Sequence, residues 1–175
     1  MNKELLHEAA SVLVPFSVKL RSLEVHMDEG YDPDLSPDRD FEIFFRFKAL
    51  EHKVYACEDP EKTLIKIYAA SGVRLVSADK KSPGDYDVEI SANFIATYGV
   101  VGDKVPSDDA LEEFGRHNSP LHIWPYWREL INNMGDRFGF GQIVLPMYRV
   151  RDDSKVGAKK DPVKKKAASK RNSEK

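Results

Sequence analysis

Histidines, serines and a glycine-containing loop are the residues of this chain that could carry out chemistry. The closest two of the five histidines, His117 and His122, are five residues apart, a spacing that does not place two metal ligands on one helical face. Neither Ser77 nor Ser119 lies in a nucleophile-elbow motif. Residues 99–104 lack the glycine spacing and the Lys-Ser/Thr ending of a phosphate-binding loop. We therefore expect no metal, no cofactor and no enzymatic activity.

Apolar side chains are the more unusual feature of the sequence. All 18 aromatic residues lie in the first 150 positions. Phe44, Ile95, Trp124 and Trp127 exceed what one face of a four-stranded sheet with a helix on it requires. An exposed apolar patch of this kind is typical of a protein partner or a binding groove. The same residues would serve equally well in a subunit interface, so both interpretations stay open.

Four extended segments must position these side chains. The clearest is the last, where every second residue from Tyr86 to Val100 is apolar, as in a half-buried antiparallel strand. A change of phase near Arg21–Ser22 predicts a bulge in the first segment, and Gly72 predicts a bend or bulge in the third. The segments are residues 16–27, 40–57, 63–77 and 86–100.

Helical periodicity flanks the four extended segments. The pattern over Lys3–Leu13 predicts a short amphipathic helix that Pro15 terminates. After the last strand, Ser107 is a plausible N-cap because acidic residues follow it in the first turn. This second helix should end near Gly115–His117.

A longer helix is predicted from about Pro120 to Phe138. We expect Pro125 in its first turn, and Gly139 and Gly141 after its end. Strands in one block followed by helices predict an α+β fold. Its expected form is a four-stranded antiparallel sheet covered on one face by the long C-terminal helix, with a short N-terminal helix.

Charge is distributed unevenly along the 175 residues, of which 41% are apolar and 32% charged. Residues 151–175 carry ten basic and four acidic side chains, a net charge of +6, whereas residues 1–150 have a net charge of −8. The composition predicts one domain at 1–150 followed by a disordered basic tail. The tail would be a solvated extension or an arm for RNA or an acidic partner. Nucleic acid binding is expected only through this tail, because the acidic body repels phosphate.

The cysteine content and the hydropathy bear on location. The single cysteine, Cys57, excludes an internal disulfide framework and suits a reducing compartment. The apolar runs are too short to span a membrane, and the N-terminus lacks the basic-then-apolar order of a signal peptide. We therefore expect a cytoplasmic protein that does not insert into membranes.

Residues 120–131, Pro-Leu-His-Ile-Trp-Pro-Tyr-Trp-Arg-Glu-Leu-Ile, resemble the signature of the SecB family of bacterial protein-export chaperones. That family combines a proline, an apolar–aromatic–Pro–Tyr unit, an Arg-Glu pair and a helix that ends in a Gly/Phe turn. The order of four strands and the pair Glu89-Ile90 extend the resemblance upstream. The positions in register are Pro120, Trp124, Pro125, Tyr126, Arg128, Glu129, Met134, Arg137, Phe140, Gln142 and Leu145.

The resemblance implies an ATP-independent chaperone, a holdase that binds unfolded polypeptides in apolar grooves. Phe44, Ile95, Trp124 and Trp127 are the candidates for the groove wall. The resemblance also implies a homotetramer, a dimer of dimers in which the long helices meet at the centre. Ile131 is a candidate for that helix packing, and so is Met134.

The family delivers its clients to the SecA motor, whose basic tail docks on acidic residues of the outer sheet face. Glu24 and Glu89, with Asp87 beside Glu89, are the candidates here for that docking surface. Some positions differ from the family: Ser91-Ala-Asn-Phe replaces a glycine-containing segment, and Gly141 replaces a proline. With the basic tail, these differences fit a divergent branch similar to the SecB-like chaperones that serve toxin–antitoxin modules, whose client is an antitoxin.

Two hypotheses follow for function. The first is a holdase for exported proteins or for an antitoxin. The alternative is an interaction or scaffold protein on the same fold, which the basic tail tethers to RNA or an acidic partner.

Overall fold

The computed structural model describes residues 1–35, 40–56, 63–80 and 84–148. Their order of elements confirms the predicted α+β fold. Both Cys57 and the predicted tail at 151–175 lie outside the described residues. The elements are α1 (Lys3–Ala10), β1 (Leu13–Met27), β2 (Phe41–Ala56), β3 (Thr63–Ser77), β4 (Val88–Val100), α2 (Asp108–His117) and α3 (Ser119–Arg137).

The four strands form one antiparallel sheet in the order β1-β4-β3-β2. Among the described strands, β4 and β3 are central, whereas β1 and β2 each have a neighbour on one side. In β4, every second side chain from Val88 to Val100 is buried. The predicted half-buried strand is thereby confirmed.

The two faces of the sheet differ in what they contact. We call the side that packs against the helices the helical face; it carries Ile90, Phe94 and Tyr98 of β4. The opposite side, which carries Glu89 and Ile95, is called the open face. Most of the apolar core lies between the helical face and the three helices, because their apolar sides can leave water only there.

Register shifts bend the two edge strands. A shift between Leu20 and Ser22 confirms the predicted bulge in β1, and a second one lies between Pro15 and Ser17. In β2 the pairing skips Leu50. An extra residue increases the local twist and turns the strand relative to its partner. The shift at Leu50 lies beside a groove between β2 and α2.

Gly72 does not mark a bulge, so that prediction is wrong. The residue pairs in register with Arg46 on one side and with Ser91 on the other. A Cβ atom at position 72 would lie 2.7 Å from Nε of Arg46. The glycine therefore gives the Arg46 side chain room to lie across the open face.

The first two helices begin and end for local reasons. Helix α1 ends at Ala10, three residues earlier than predicted, because the chain enters β1 at Leu13. Pro15 lies inside that edge strand, where a missing N–H is tolerated. The predicted N-cap of α2 is confirmed, since the Ser107 hydroxyl accepts a hydrogen bond from the N–H of Ala110 at 3.3 Å.

Helix α3 starts only two residues after α2 ends, so Pro125 lies in the interior of the helix. The prediction that it lies in the first turn is wrong. Proline has no N–H to donate to the carbonyl of Leu121. Leu121 and Pro125 both lie on the exposed side of the helix, where water can satisfy that carbonyl. Gly139 and Gly141 end the helical segment with positive φ angles of 73° and 67°, as predicted.

Candidate functional site

Four aromatic side chains cluster where the end of the described chain meets β2. Phe45 and Phe47 belong to the helical face of β2, and Trp124 belongs to α3. The ring centroids lie 5.6 Å apart for Phe45 and Trp124, 5.4 Å for Trp124 and Tyr148, and 6.2 Å for Phe47 and Tyr148. Edge-to-face and tilted contacts at these distances stabilise aromatic pairs beyond the burial of their area.

The segment that follows α3 covers Trp124. Its indole Nε1 donates a hydrogen bond of 2.9 Å to the carbonyl oxygen of Pro146, and Ile143 and Leu145 beside it are buried. Trp124 is consequently only 4% exposed. The close packing of this segment against α3 depends on Gly135, where a Cβ would overlap the carbonyl oxygen of Gly141.

A groove runs between β2 and α2, beside the aromatic cluster. Its volume is about 620 Å³. We call it the β2 groove. At Gly115 α2 lies against the sheet, and a Cβ there would be in ordinary van der Waals contact with Ile67 at 3.6 Å. Its apolar lining includes Phe47, Ala49, Leu50, Ile67, Leu111 and Tyr148, whereas Glu112 and Arg116 are polar lining residues on α2.

The β2 groove lies next to an unpaired strand edge. In the part of the chain that the structure describes, β2 has β3 as its one neighbouring strand, so the outward backbone groups of its 16 residues have no described strand to pair with. Leu50, at the register shift, is 52% exposed. His52 Nε2, on the same strand, lies 3.2 Å from Asp108 Oδ1, which ties β2 to the first turn of α2. An extended peptide could add to this edge and place alternate side chains in the groove.

The structure does not bring the four predicted groove residues together. Phe44 and Ile95 lie on the open face, with Phe44 43% exposed and Ile95 half-buried. Trp124 and Trp127 belong to α3 and pack on the opposite side of the sheet, against Phe45 and Phe94 of the helical face. Trp127 is fully buried against Phe94, with ring centroids 6.1 Å apart, so it is a core residue.

The predicted acidic docking surface is not present as proposed. Asp87 is 1% exposed, and its carboxylate accepts a hydrogen bond of 2.7 Å from the N–H of Ser77. It precedes β4 and joins the ends of two strands. Glu89 lies 2.8 Å from Nε of Arg74 and 3.4 Å from Arg46. Of the three candidates only Glu24 is exposed.

The described strands make the open face more basic than acidic. Register places seven basic and four acidic side chains on it. A surface with this balance does not favour a basic partner. The basic residues are Lys19, Arg21, Arg46, Lys48, Lys53, Lys66 and Arg74, and the acidic ones are Glu24, Glu42, Glu51 and Glu89.

The two residues predicted for helix packing both contact the core of their own chain. Ile131 is fully buried, and Met134 is half-buried against the same core. The large apolar residues that α3 exposes are Leu121 and Tyr126, near its N-terminal end. Its C-terminal half exposes polar and charged side chains, among them Asn132, Asn133 and Asp136.

A buried Tyr–His pair lies beside α2. The Tyr98 hydroxyl is 3.0 Å from Nδ1 of His122, and both rings pack near Phe114. Burial raises the pKa of Tyr98 far above its usual range and lowers the pKa of His122. A neutral imidazole can accept a hydrogen bond from the tyrosine hydroxyl at Nδ1, whereas the protonated ring has no free lone pair there and cannot.

We expect this pair to make stability depend on pH. The lowered pKa of His122 means that the unfolded chain takes up the proton first, so stability should fall as the pH drops below about 6.5. Urea unfolding at pH 7.5 and 5.5 measures the loss. The loss should be smaller in His122→Gln and unchanged in His7→Gln, a control at an exposed site. Equal losses in wild type and His122→Gln would contradict the assignment.

Within residues 1–35, 40–56, 63–80 and 84–148, no group of three His, Cys, Asp or Glu side chains could hold a metal ion. In those same ranges no helix is long and apolar enough to cross a membrane.

Sequence reasoning missed the residues that form the β2 groove, chiefly Leu50, His52 and Tyr148. One signal was present: the alternation of Phe41 to Phe47 breaks down at Ala49, where the bulge occurs. The return of Tyr148 to β2 has no comparable local signal.

Comparison with known proteins adds to this geometry. No protein-family model matches the chain, and no curated protein matches it. A solved structure of the SecB-like chaperone Rv1957 of Mycobacterium tuberculosis, in complex with a ChAD peptide from the antitoxin HigA1 (Rv1956), matches with a TM-score of 0.66. The match covers 83% of this chain and 98% of that one at 10% identity. A protein of unknown function from Streptococcus agalactiae matches with a TM-score of 0.40 at 10% identity, over 78% of this chain and 97% of that one. The chain therefore shares the fold of a SecB-like chaperone.

Proposed function

We propose that this protein is an ATP-independent holdase that binds extended segments of unfolded polypeptides along β2. The observation that carries the proposal is the apolar β2 groove, of about 620 Å³, beside an unpaired strand edge on a SecB-like fold. Backbone pairing with β2 would accept many sequences, and the groove would select for apolar side chains. Burial of one leucine-sized client side chain contributes about 1.5–3 kcal/mol.

The client class that we propose to test first is an antitoxin segment. The Mycobacterium tuberculosis protein that shares this fold was solved with an antitoxin peptide. Delivery of exported clients to a SecA-type motor is less well supported, because Asp87 is buried and Glu89 is paired with two arginines. We propose action in the cytoplasm and self-association into a tetramer. The exposed apolar residues of the edge strand β1, Val14, Phe16 and Leu20, are available for subunit contacts.

Client binding is tested with a labelled polypeptide whose alkylated cysteines keep it unfolded, and with its folded form as control. We expect the full-length protein to bind the unfolded form only. Leu50→Glu should weaken binding about tenfold, because a carboxylate replaces an apolar contact in the β2 groove. Leu35→Glu makes the same change at a site that is 82% exposed and outside the groove lining, and should bind normally.

Equal affinities of Leu50→Glu and Leu35→Glu would contradict the groove assignment, and no binding to the unfolded form would overturn the holdase proposal. Light scattering on the same samples gives the number of subunits per bound client. Deletion of residues 151–175 separates the holdase from the scaffold alternative. A holdase should still bind clients after the deletion, whereas a protein that the tail tethers should lose its partner.

A further inference from the structure

The open face divides into two ends of different charge. At one end, Glu24, Glu42 and Glu89 accompany Arg46 and Arg74. The other end carries five basic residues and, on the described strands, Glu51 as its acidic residue. We call this second region the basic end; its cations are Lys19, Arg21, Lys48, Lys53 and Lys66.

Two tyrosines hold three of these cations in place. The Arg21 guanidinium lies 5.4 Å from the Tyr68 ring centroid, and the Lys53 ammonium lies 5.3 Å from the same ring. The Lys66 ammonium lies 4.6 Å from the Tyr55 ring. Cation–π contacts of this kind restrict the side chains without neutralising their charge. Lys53 also contacts Glu51 at 3.3 Å. Because Glu51 is one carboxylate among five cations, the basic end keeps a net positive charge.

Contacts within the protein fix the positions of part of the basic end. The hydroxyl oxygens of Tyr55 and Tyr68 are 3.3 Å apart, and the Tyr68 side chain is nearly covered. A ligand would therefore meet cations whose positions are partly fixed, which lowers the entropy cost of binding. Lys48 and Glu51 also line the β2 groove at the strand edge, whereas Lys19, Arg21 and Lys66 lie away from it on the open face. The basic end would therefore recognise the charge of a partner, and the apolar lining of the groove its apolar side chains.

We propose that the basic end docks a short acidic segment of a protein partner, in addition to client binding on the apolar lining of the β2 groove. Charge complementarity selects carboxylates. Lys48 pairs with Ala70 and Lys53 with Lys66, four residues apart on β3, because the bulge at Leu50 takes up one residue. The span from Lys48 to Lys53 is therefore about 13 Å at 3.3–3.4 Å per residue, so it matches roughly four residues of an extended peptide. Beyond that span, Glu24, Glu42 and Glu89 would repel a longer acidic segment.

The observations favour an acidic peptide over single-stranded nucleic acid. Sheets that bind single strands stack bases on exposed aromatic rings. Here Tyr68 is 9% exposed and two cations lie near its ring, while Lys66 lies over Tyr55. A long polyanion would also meet the net charge of −8 of residues 1–150.

Carbodiimide coupling of octaglutamate to the full-length protein tests the proposal, because the reagent joins carboxylates to lysines that they contact. Peptide mapping by mass spectrometry separates the basic end from the tail at 151–175. We expect coupling at Lys19 and Lys48 to exceed coupling at Lys3 and Lys104, which lie outside the open face. Coupling should fall steeply with added salt.

Matched variants make the result specific. Lys53→Gln with Lys66→Gln should lower coupling at Lys19 and Lys48 about fivefold, because two of five attracting charges are lost. Lys3→Gln with Lys104→Gln changes the net charge equally and should leave this coupling unaltered. Equal coupling in the two variants would overturn the proposal. The proposal would also be overturned if an eight-nucleotide thymidine strand protected Lys19 and Lys48 more strongly than uncoupled octaglutamate does. That result would assign the surface to nucleic acid. Neither outcome depends on client binding in the β2 groove.

Discussion

Trp127→Ala is expected to lower the free energy of unfolding by about 3–5 kcal/mol, the range for truncating a large buried aromatic residue. Trp127 is completely buried and packs edge-to-face on Phe94 beneath α3. Its removal leaves a cavity between the helix and the centre of the sheet. Urea unfolding followed by circular dichroism measures the change.

Tyr126→Ala is the matched control for this prediction. Tyr126 precedes Trp127 on the same helix but is 49% exposed, so its truncation should change stability by about 0.5 kcal/mol or less. The pair also tests the role of Trp127 as a groove wall. If Trp127→Ala left stability intact and reduced client binding, the tryptophan would contact clients directly and its placement in the core would be wrong.

Gly135→Ala should destabilise the protein by about 2–4 kcal/mol, a large effect for the addition of one methyl group. The new Cβ would overlap the carbonyl oxygen of Gly141 and lie 3.3 Å from Cγ1 of Ile143. Because a backbone oxygen cannot rotate away, the segment after α3 would have to move. That segment covers Trp124, so intrinsic tryptophan fluorescence should report greater solvent exposure.

Gly99→Ala provides the comparison for Gly135→Ala. Nothing lies within 4 Å of a Cβ atom at Gly99, and its φ angle is not in the left-handed region. We expect a change within about 0.5 kcal/mol, since the new methyl group meets open space. Equal destabilisation by both substitutions would show that the contact with Gly141 does not limit the packing of α3.

The β2 groove and the basic end would bind two different kinds of partner. Clients would bind along β2 on the helical face, where burial of apolar area supplies most of the free energy. An acidic partner would bind the basic end on the open face, where charge governs association and its dependence on salt. The acidic docking surface that the resemblance implied would attract basic partners. The open face of this SecB-like fold is more basic than acidic, so it would recruit acidic partners.

Local patterns in the sequence were sufficient for most of the elements. The alternation in β4 predicted a half-buried strand because neighbouring side chains point to opposite faces. The change of phase at Arg21–Ser22 predicted the bulge, and Ser107 predicted the start of α2. Each of these features depends on residues that are close together in the chain.

Contacts between distant residues decided the site. Trp124 and Trp127 share one stripe of α3, but only the return of residues 142–148 shows that Trp124 is covered. Asp87 and Glu89 are two residues apart, so in a continuous strand their side chains would point to the same face. Because β4 begins only at Val88, Asp87 instead turns inward to Ser77. The charge of the open face depends on the strand order β1-β4-β3-β2, which joins lysines from three strands. The sequence alone determined most of the strands and helices, because those preferences are local, although it did not fix all of their ends. The tertiary structure decided which side chains are accessible together, because burial and charge on a sheet depend on neighbours far away in the chain.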